Sequence, residues 1–347
     1  MLTRWIAAHR GALSVFFSAL VTSGCAIHPL PDDVAHISTP NIVRQIRCET
    51  RQAIIDSFLG FLTDEGNNQV NSNGYQKVDD RSHAIGKATK HDYDNNPDSI
   101  TTFDPKILSG FARSTVQLLF NTGIAYNYDL TGLEKSNIDP TANLTRPLPI
   151  STLLSANLTG NFDRSWQNDR SFTITDNAAS LVKVHANYCT NSLVEENIVY
   201  PIAGKVGMAK MIQDFLQLTL FENLNGETTK DTITTSSGPP TMVDQLNFQT
   251  TIGGSATPMA VFAPAGTAFQ FMNASMVLSA SRMDTHILTV GLYLDSAGVQ
   301  QIAGVRTAVF AGRLITASGG HAEKGAAHAV EQYLEQKLFK PTIVVHP

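Results

Sequence analysis

Two stretches of this chain read as copies of one another, and a duplication limits the fold more than any single motif does. Tyr126-Asn127-Tyr128, Pro140, Pro147, Ala156, Arg164 and Phe172-Thr173-Ile174 form one series. Leu246-Asn247-Phe248, Pro258, Pro264, Ala274, Arg282 and Leu288-Thr289-Val290 follow in the same order. The offset is 118 residues both from Pro140 to Pro258 and from Arg164 to Arg282. Self-similarity at a fixed spacing implies one structural unit used twice. The competing explanation is chance likeness between two Thr- and Ser-rich β regions.

Periodicity says what that unit contains. Val43, Ile46, Ile54, Phe58 and Phe61 recur at helical spacing, with Thr39 as a cap and Pro40 in the first turn. Cys48, Ile55, Leu59 and Leu62 make a second stripe, so this helix is expected to be buried on more than one side. A further helix is expected over Asp104 to Phe120. Beyond it, alternation takes over: Ile124, Tyr126, Tyr128 and Leu130, then Leu154, Ala156, Leu158 and Gly160, then residues 171–175. The second half repeats the order, with a helix from Val206 to Asn223 before strands at 246–251, 268–280 and 285–294. A last helix is expected near 322–338 and an apolar tail at Ile343-Val344-Val345, while 299–316 reads either way. The aromatics Tyr126, Tyr128, Phe269 and Phe271 alternate as residues of a core or sheet face do.

The fold class is therefore α+β: two related halves, each a helix followed by an antiparallel meander, packed with flanking helices. The expected boundaries are a first half over 39–195 and a second over 196–347. The polar stretch 63–102 reads as a long loop in the first half. At 42% hydrophobic and 16% charged residues the chain is globular. A net charge of -5 with no basic cluster excludes an electrostatic case for nucleic acid.

The first residues read as an address. Arg4 and Arg10 precede an apolar run from Gly11 to Thr22, too short to span a bilayer core as a helix. It ends in Val21-Thr22-Ser23-Gly24-Cys25. This segment resembles the lipobox of bacterial lipoproteins at Ser23, Gly24 and Cys25, with Thr22 in place of the usual leucine. The resemblance covers about the first 26 residues and concerns processing and anchorage alone. It implies removal of a 1–24 signal peptide, lipid (palmitate among its acyl chains) on Cys25, and a proline-bearing tether over 25–38. Ala26 after the cysteine implies outer-membrane sorting in a Gram-negative host, facing the periplasm or the cell surface.

With Cys25 spent on lipid, Cys48 and Cys189 remain as an even pair in an oxidising compartment, where a disulfide is expected. Two buried thiols, or a metal site lacking the local spacing such sites show, are the alternatives.

Candidate chemistry is sparse. Asp92, Asp94, Asn96 and Asp98 fall at positions 1, 3, 5 and 7 of a loop, the spacing that wraps Ca²⁺. Pro97 stands where such loops need glycine, however, and Phe103 where they need glutamate. A solvated acidic loop is the plainer reading, and no metal or other cofactor is expected. His321 and His328 are seven apart with no third ligand in view. Arg164 and Arg282 read as partners of neighbouring carboxylates before they read as an anion site. The chain holds no G-x-S-x-G, P-loop, H-E-x-x-H or C-x-x-C.

These features lean away from an enzyme. They favour a membrane-anchored envelope lipoprotein, structural or interaction-based, whose partners are the membrane and another envelope protein. The alternative is an envelope hydrolase or glycan- or ligand-binding lipoprotein whose carboxylates converge only in three dimensions.

Overall fold

The computed structural model describes residues 29–70, 76–148, 152–190, 197–222, 224, 226–230, 233–261, 270–294, 329–330 and 333. Cys25, Phe269, His321, His328, the 299–316 stretch, the apolar tail and all but three residues of the last expected helix lie outside them. Helices and antiparallel strands are mixed, as an α+β chain requires. The longer helices are α1 (Thr39–Thr63), α2 (Asp80–Asn95), α3 (Gly110–Phe120) and α4 (Met208–Phe221). The strands are β1 (Thr122–Leu148), β2 (Thr152–Thr159), β3 (Phe162–Asn177), β4 (Gly226–Lys230), β5 (Ile233–Gly238), β6 (Thr241–Ala256), β7 (Met259–Val261) and β8 (Gln270–Leu294).

The chain does not divide into sequential halves. It forms two compact units, each drawing on both halves, and β1, β3, β6 and β8 each contribute to both. One unit is made of residues 1–36, 131–169 and 251–284; the other holds 37–130, 170–250 and 285–347. Strands from both halves share one sheet, in the order β2-β1-β8-β6, with β3 also paired to β1 and β7 to β8. β4 and β5 form a separate hairpin.

The second of these units is the α+β body. Helix α1 carries Ile42, Ile46, Ile54, Ile55, Phe58 and Leu62 at 0–1% exposure, and Cys48 is buried beside them, so the two-sided burial read from the sequence holds. Its N-cap is Ser38 rather than Thr39. Buried residues of β1 (Ile124, Tyr126, Tyr128) and β8 (Leu288, Val290, Leu292) supply the sheet side of this core. At roughly 25 cal/mol per Å² of apolar area removed from water, such burial is the main force holding the unit together.

The polar stretch 63–102 is not a single loop: α2, a short helix at Glu65–Asn68 and a 3₁₀ turn at Ser99–Thr102 together occupy more than half of it. Asp79 caps α2 by accepting from the Ser82 N–H at 3.0 Å. Only Ser82, His83 and Gly86 of α2 are buried. A Cβ on Gly86 would sit 2.6 Å from the Leu62 Cβ, so glycine is what lets α1 and α2 approach.

The expected 104–120 helix is interrupted. Asp104 caps a short 3₁₀ turn at Pro105–Ile107 instead, and α3 starts afresh after Ser109.

Helix α4 begins at Met208, after Gly207 at φ 95°, a left-handed conformation that glycine adopts freely. Its first turn is satisfied from a distance. The buried Glu49 carboxylate accepts from the N–H groups of Val206, Gly207 and Met208 at 2.8, 2.7 and 2.9 Å. A carboxylate there completes the open donors of a helix start and complements its dipole.

Candidate functional site

The expected site residues do not assemble into one centre. Cys48 and Cys189 are joined in a disulfide with a Cα–Cα distance of 5.5 Å, tying α1 to the short helix Ala186–Cys189. The calcium reading fails on geometry. Asp92 and Asp94 lie in α2, where residues two apart point about 200° from one another around the axis. Asp94 pairs with Lys90 at 3.1 Å, Asn96 Oδ1 accepts from the Asp98 N–H, and Asp98 accepts from the Ala186 N–H at 2.7 Å. Among the described residues no cluster of three or more His, Cys, Asp or Glu can hold a metal ion.

Two clefts open in the α+β body. One, of about 410 Å³, is lined by Phe58, Phe61, Phe111, Leu119 and Leu220, with Asp56 its one carboxylate. In the other, of about 590 Å³, Asp214 is engaged by Lys210 at 2.8 Å. The buried histidines are also committed: His83 Nδ1 meets the Leu62 carbonyl at 2.8 Å, and His286 Nε2 meets the Tyr200 hydroxyl.

The arrangement that stands apart is the β unit. It contains two hairpins, β1 with β2–β3 and β6–β7 with β8. In the β1–β2 ladder Ala142 pairs with Leu158, Leu144 with Ala156 and Arg146 with Leu154, all on one face. Asn143 pairs with Asn157 and Thr145 with Ser155 on the other. Side chains alternate along a strand, so each face has a uniform character. Over 141–146 and 154–159 one is Ala and Leu with Arg146; the other is Thr, Asn and Ser.

The second hairpin continues both faces. Asn143 Nδ2 donates to Asn273 Oδ1, which puts Asn273, Ser275, Ser279 and Ser281 on the polar face. Met272, Ala274, Met276, Leu278 and Ala280 then fall on the apolar one. On β7, Ala260 pairs with Ala274. A Cβ built on Gly253 meets the Ser281 Cβ at 3.4 Å, so Ile252 and Ala256 also belong to the apolar face. Apolar residues also fall on the polar side, among them Leu133, Val277, Met283, Met259 and Val261.

The apolar face is uncovered: Leu148, Leu154 and Leu158 are 40, 47 and 59% exposed. Monomeric soluble proteins rarely expose a contiguous apolar surface of this kind. Its lower end is marked by Phe162 and Trp166, with the Arg164 guanidinium 3.7 Å over the Trp166 ring. Below these the segment before α1 lies on the same face. The Pro29 carbonyl accepts from Asn168 Nδ2 at 3.2 Å and is the atom nearest to where a Gly132 Cβ would be. Arg282 donates to the Leu30 carbonyl and pairs with Asp284 at 2.8 Å, Glu134 at 3.1 Å and Asp33 at 3.4 Å. The two matched arginines thus do different work, one in a carboxylate cluster and one on an aromatic ring.

Sequence reasoning found the alternation in Leu154, Ala156 and Leu158 but not the face. The signal that would have found it is the strict Thr/Asn/Ser content of the intervening positions.

The fold defines a protein with a helical α+β body and a two-faced β-hairpin unit. A model of the family described as uncharacterised protein y4kA matches residues 28–302, and the chain belongs to that family. The y4kA protein of Sinorhizobium fredii (strain NBRC 101917 / NGR234), itself uncharacterised, is 27% identical over 293 residues, 82% of each chain. Among solved structures, the InvG secretin domain β-barrel from the Salmonella SPI-1 injectisome NC-base covers 62% of this chain and 68% of that one. It does so at 7% identity and a TM-score of 0.14, too low to support any argument. No helix among the described residues is long and apolar enough to cross a membrane, a statement that does not bear on strands.

Proposed function

We propose that this chain is a lipid-anchored envelope protein with a structural or assembly role, and that its β unit enters the bilayer. One observation carries the reading: a sheet with one polar and one uncovered apolar face, on which the N-terminal segment lies along the apolar side. A membrane strand needs about 9–11 residues, and lipid-facing bands on such sheets are ~25 Å tall. From Ile138 to Leu148 the apolar face of β1 is of that order. Phe162 and Trp166 stand where aromatic side chains favour the interface. Arg146 lies near the far end, from which a long cation reaches the opposite headgroups.

The anchor fits the same geometry. Cys25 precedes Pro29 by four residues, a reach of at most about 14 Å in extended chain. Lipid on Cys25 would enter the membrane beside the aromatic end of the band. In a Gram-negative host, Ala26 after the cysteine supports an outer-membrane location. The partners are then the membrane itself and other envelope protein.

The test uses the mature chain in lipid vesicles, with a fluorophore placed in turn at Asn157→Cys and Leu158→Cys. A quencher confined to the acyl chains should reach the label at 158 and leave that at 157. Equal quenching, or none at either site, would overturn membrane entry. The anchor is tested separately by the mass of the N-terminal peptide, which should carry diacylglycerol and an acyl chain on Cys25.

We also infer that the two hairpins are copies. Asn127 Nδ2 donates to Thr173 Oγ1 at 2.9 Å, and Gln245 Nε2, 118 residues on, donates to Thr289 Oγ1 at 3.1 Å. The Pro140 carbonyl accepts from the Gly160 N–H, as the Pro258 carbonyl does from Met276. Asn127→Gln with Gln245→Asn should leave thermal stability nearly unchanged if these sites are equivalent. A fall as large as that of Asn127→Ala would count against copies.

A further inference from the structure

We infer that several copies of this chain join edge to edge to close a single β-barrel, with the polar face of the β unit lining a water-filled lumen. The inference rests on the membrane reading above and names the partner that reading leaves open: a second copy of this chain.

The edges require it. The sheet path leaves β2 and β3 at one side and β6 and β7 at the other, and among the described residues neither side has a further strand. Residues 251–261 are exposed throughout, as are 157–165. In lipid every backbone N–H and C=O must find a partner within the protein, so an open edge is not tolerated there. A sheet four strands wide cannot close on itself, since the smallest barrels need about eight.

Strand direction says how the copies join. Along β1 the contacts step from Asn143 to Glu134 to Gly132 while their partners on β8 step from Asn273 to Arg282 to Asp284. These strands are therefore antiparallel. The Gln245–Thr289, Gly253–Ser281 and Met259–Ser275 contacts show the same for β6–β7 against β8. Asn127–Thr173 and Pro140–Gly160 show it for β1 against β3. The two edges thus run in opposite directions. When the β2–β3 edge of one copy meets the β6–β7 edge of the next, the up-down alternation continues without a break. Such a head-to-tail contact closes into a ring, whereas a two-fold contact would leave one edge of each copy open.

The faces say what the ring encloses. Two copies would supply roughly eight strands, a barrel filled by its own side chains, while about 16 or more leave an aqueous channel. The Thr, Asn and Ser residues that dominate this face call for water, hence four copies or more. Between Thr141 and Thr159 the described polar-face residues carry no charge, and Asp139 just below them would form a ring of carboxylates, so the lumen should favour cations.

The experiment extracts the lipidated full chain in mild detergent and measures its mass, then records conductance in planar bilayers. Four or more protomers per particle, with conductance steps that favour cations, is the expected result, and Asp139→Asn should weaken that preference. Asn157→Asp should raise the cation-to-anion permeability ratio several-fold. Ser255→Cys combined in turn with Asn157→Cys, Asn161→Cys or Ser165→Cys should yield an intermolecular disulfide ladder for at least one pair, absent from the single variants. Monomers or dimers without ladders would overturn the inference. Should the acyl-chain quencher still reach position 158 in that case, the membrane reading stands while the barrel falls.

Discussion

Glu134 and Arg282 face each other at 3.1 Å across neighbouring strands, and the same guanidinium holds Asp284 and the Leu30 carbonyl. Asp284 is 1% exposed, so removing the guanidinium takes the neutralising cation from a buried carboxylate. Breaking such a pair costs about 3–5 kcal/mol when both partners are buried, and somewhat less here because Glu134 and Asp33 see solvent. Arg282→Ala should lower stability by about 2–3 kcal/mol in denaturant unfolding followed by Trp166 fluorescence. It should also make the chain around Leu30 and Asp33 newly sensitive to protease. Arg282→Lys should restore only part of both, because an ammonium cannot bridge these oxygens as a planar fork does.

Glu49 acts as a cap supplied from another helix. Glu49→Ala leaves three backbone donors at the start of α4 without their acceptor, and a loss of about 2 kcal/mol is expected. Glu49→Gln keeps one acceptor oxygen and should cost about half as much. Thermal unfolding by circular dichroism checks the order. Equal losses for the two would show that charge, not acceptor geometry, is what matters.

Reduction of the Cys48–Cys189 bond opens a loop with a sequence separation of 141. Chain-entropy arguments put the resulting loss at about 4–5 kcal/mol, with typical measured values of 2–4. The Cys48→Ser, Cys189→Ser double variant should lower the midpoint of denaturation accordingly. An unchanged midpoint with and without reductant would show that the bond does not constrain the unfolded chain.

Alkaline pH should unfold the α+β body before it ionises all its tyrosines. Burial pushes the Tyr126 and Tyr128 phenols well above their usual range, and the nearby Asp176 charge adds to it. Unfolded tyrosine loses its proton near pH ~10. Their contribution to stability is thus complete below about pH 10. It falls as pH climbs beyond that, because only the unfolded state releases the protons. Spectrophotometric titration should show two tyrosinates forming together with loss of near-ultraviolet circular dichroism. Their early titration in the folded state would contradict this.

Much of the body was legible in the sequence because its signals are periodic and apolar. Ile46, Ile54 and Phe58 give α1, and Tyr126 and Tyr128 give the buried part of β1. Helix α2 was not legible: it buries a serine, a histidine and a glycine, so no hydrophobic stripe announces it. The 1, 3, 5, 7 spacing of Asp92 to Asp98 suggests a cation loop only while the backbone is unknown. The length of β1 was hidden for a related reason. Residues 131–141 mix Gly, Glu, Lys, Asp and Pro, which have little β preference of their own, and neighbouring strands hold them extended. The candidate surface is legible only in part, since each strand contributes only a few apolar residues to it. The face exists once β2, β1, β8 and β6 lie side by side.

The unbroken register of these strands restricts how the family can vary in length. Polar and apolar residues trade places with every step, so inserting or deleting one residue in β1, β6 or β8 would turn the polar face apolar beyond that point. Changes of two residues would only lengthen or shorten the wall. Relatives should therefore differ in these hairpins by even numbers, and odd changes should collect in the turns.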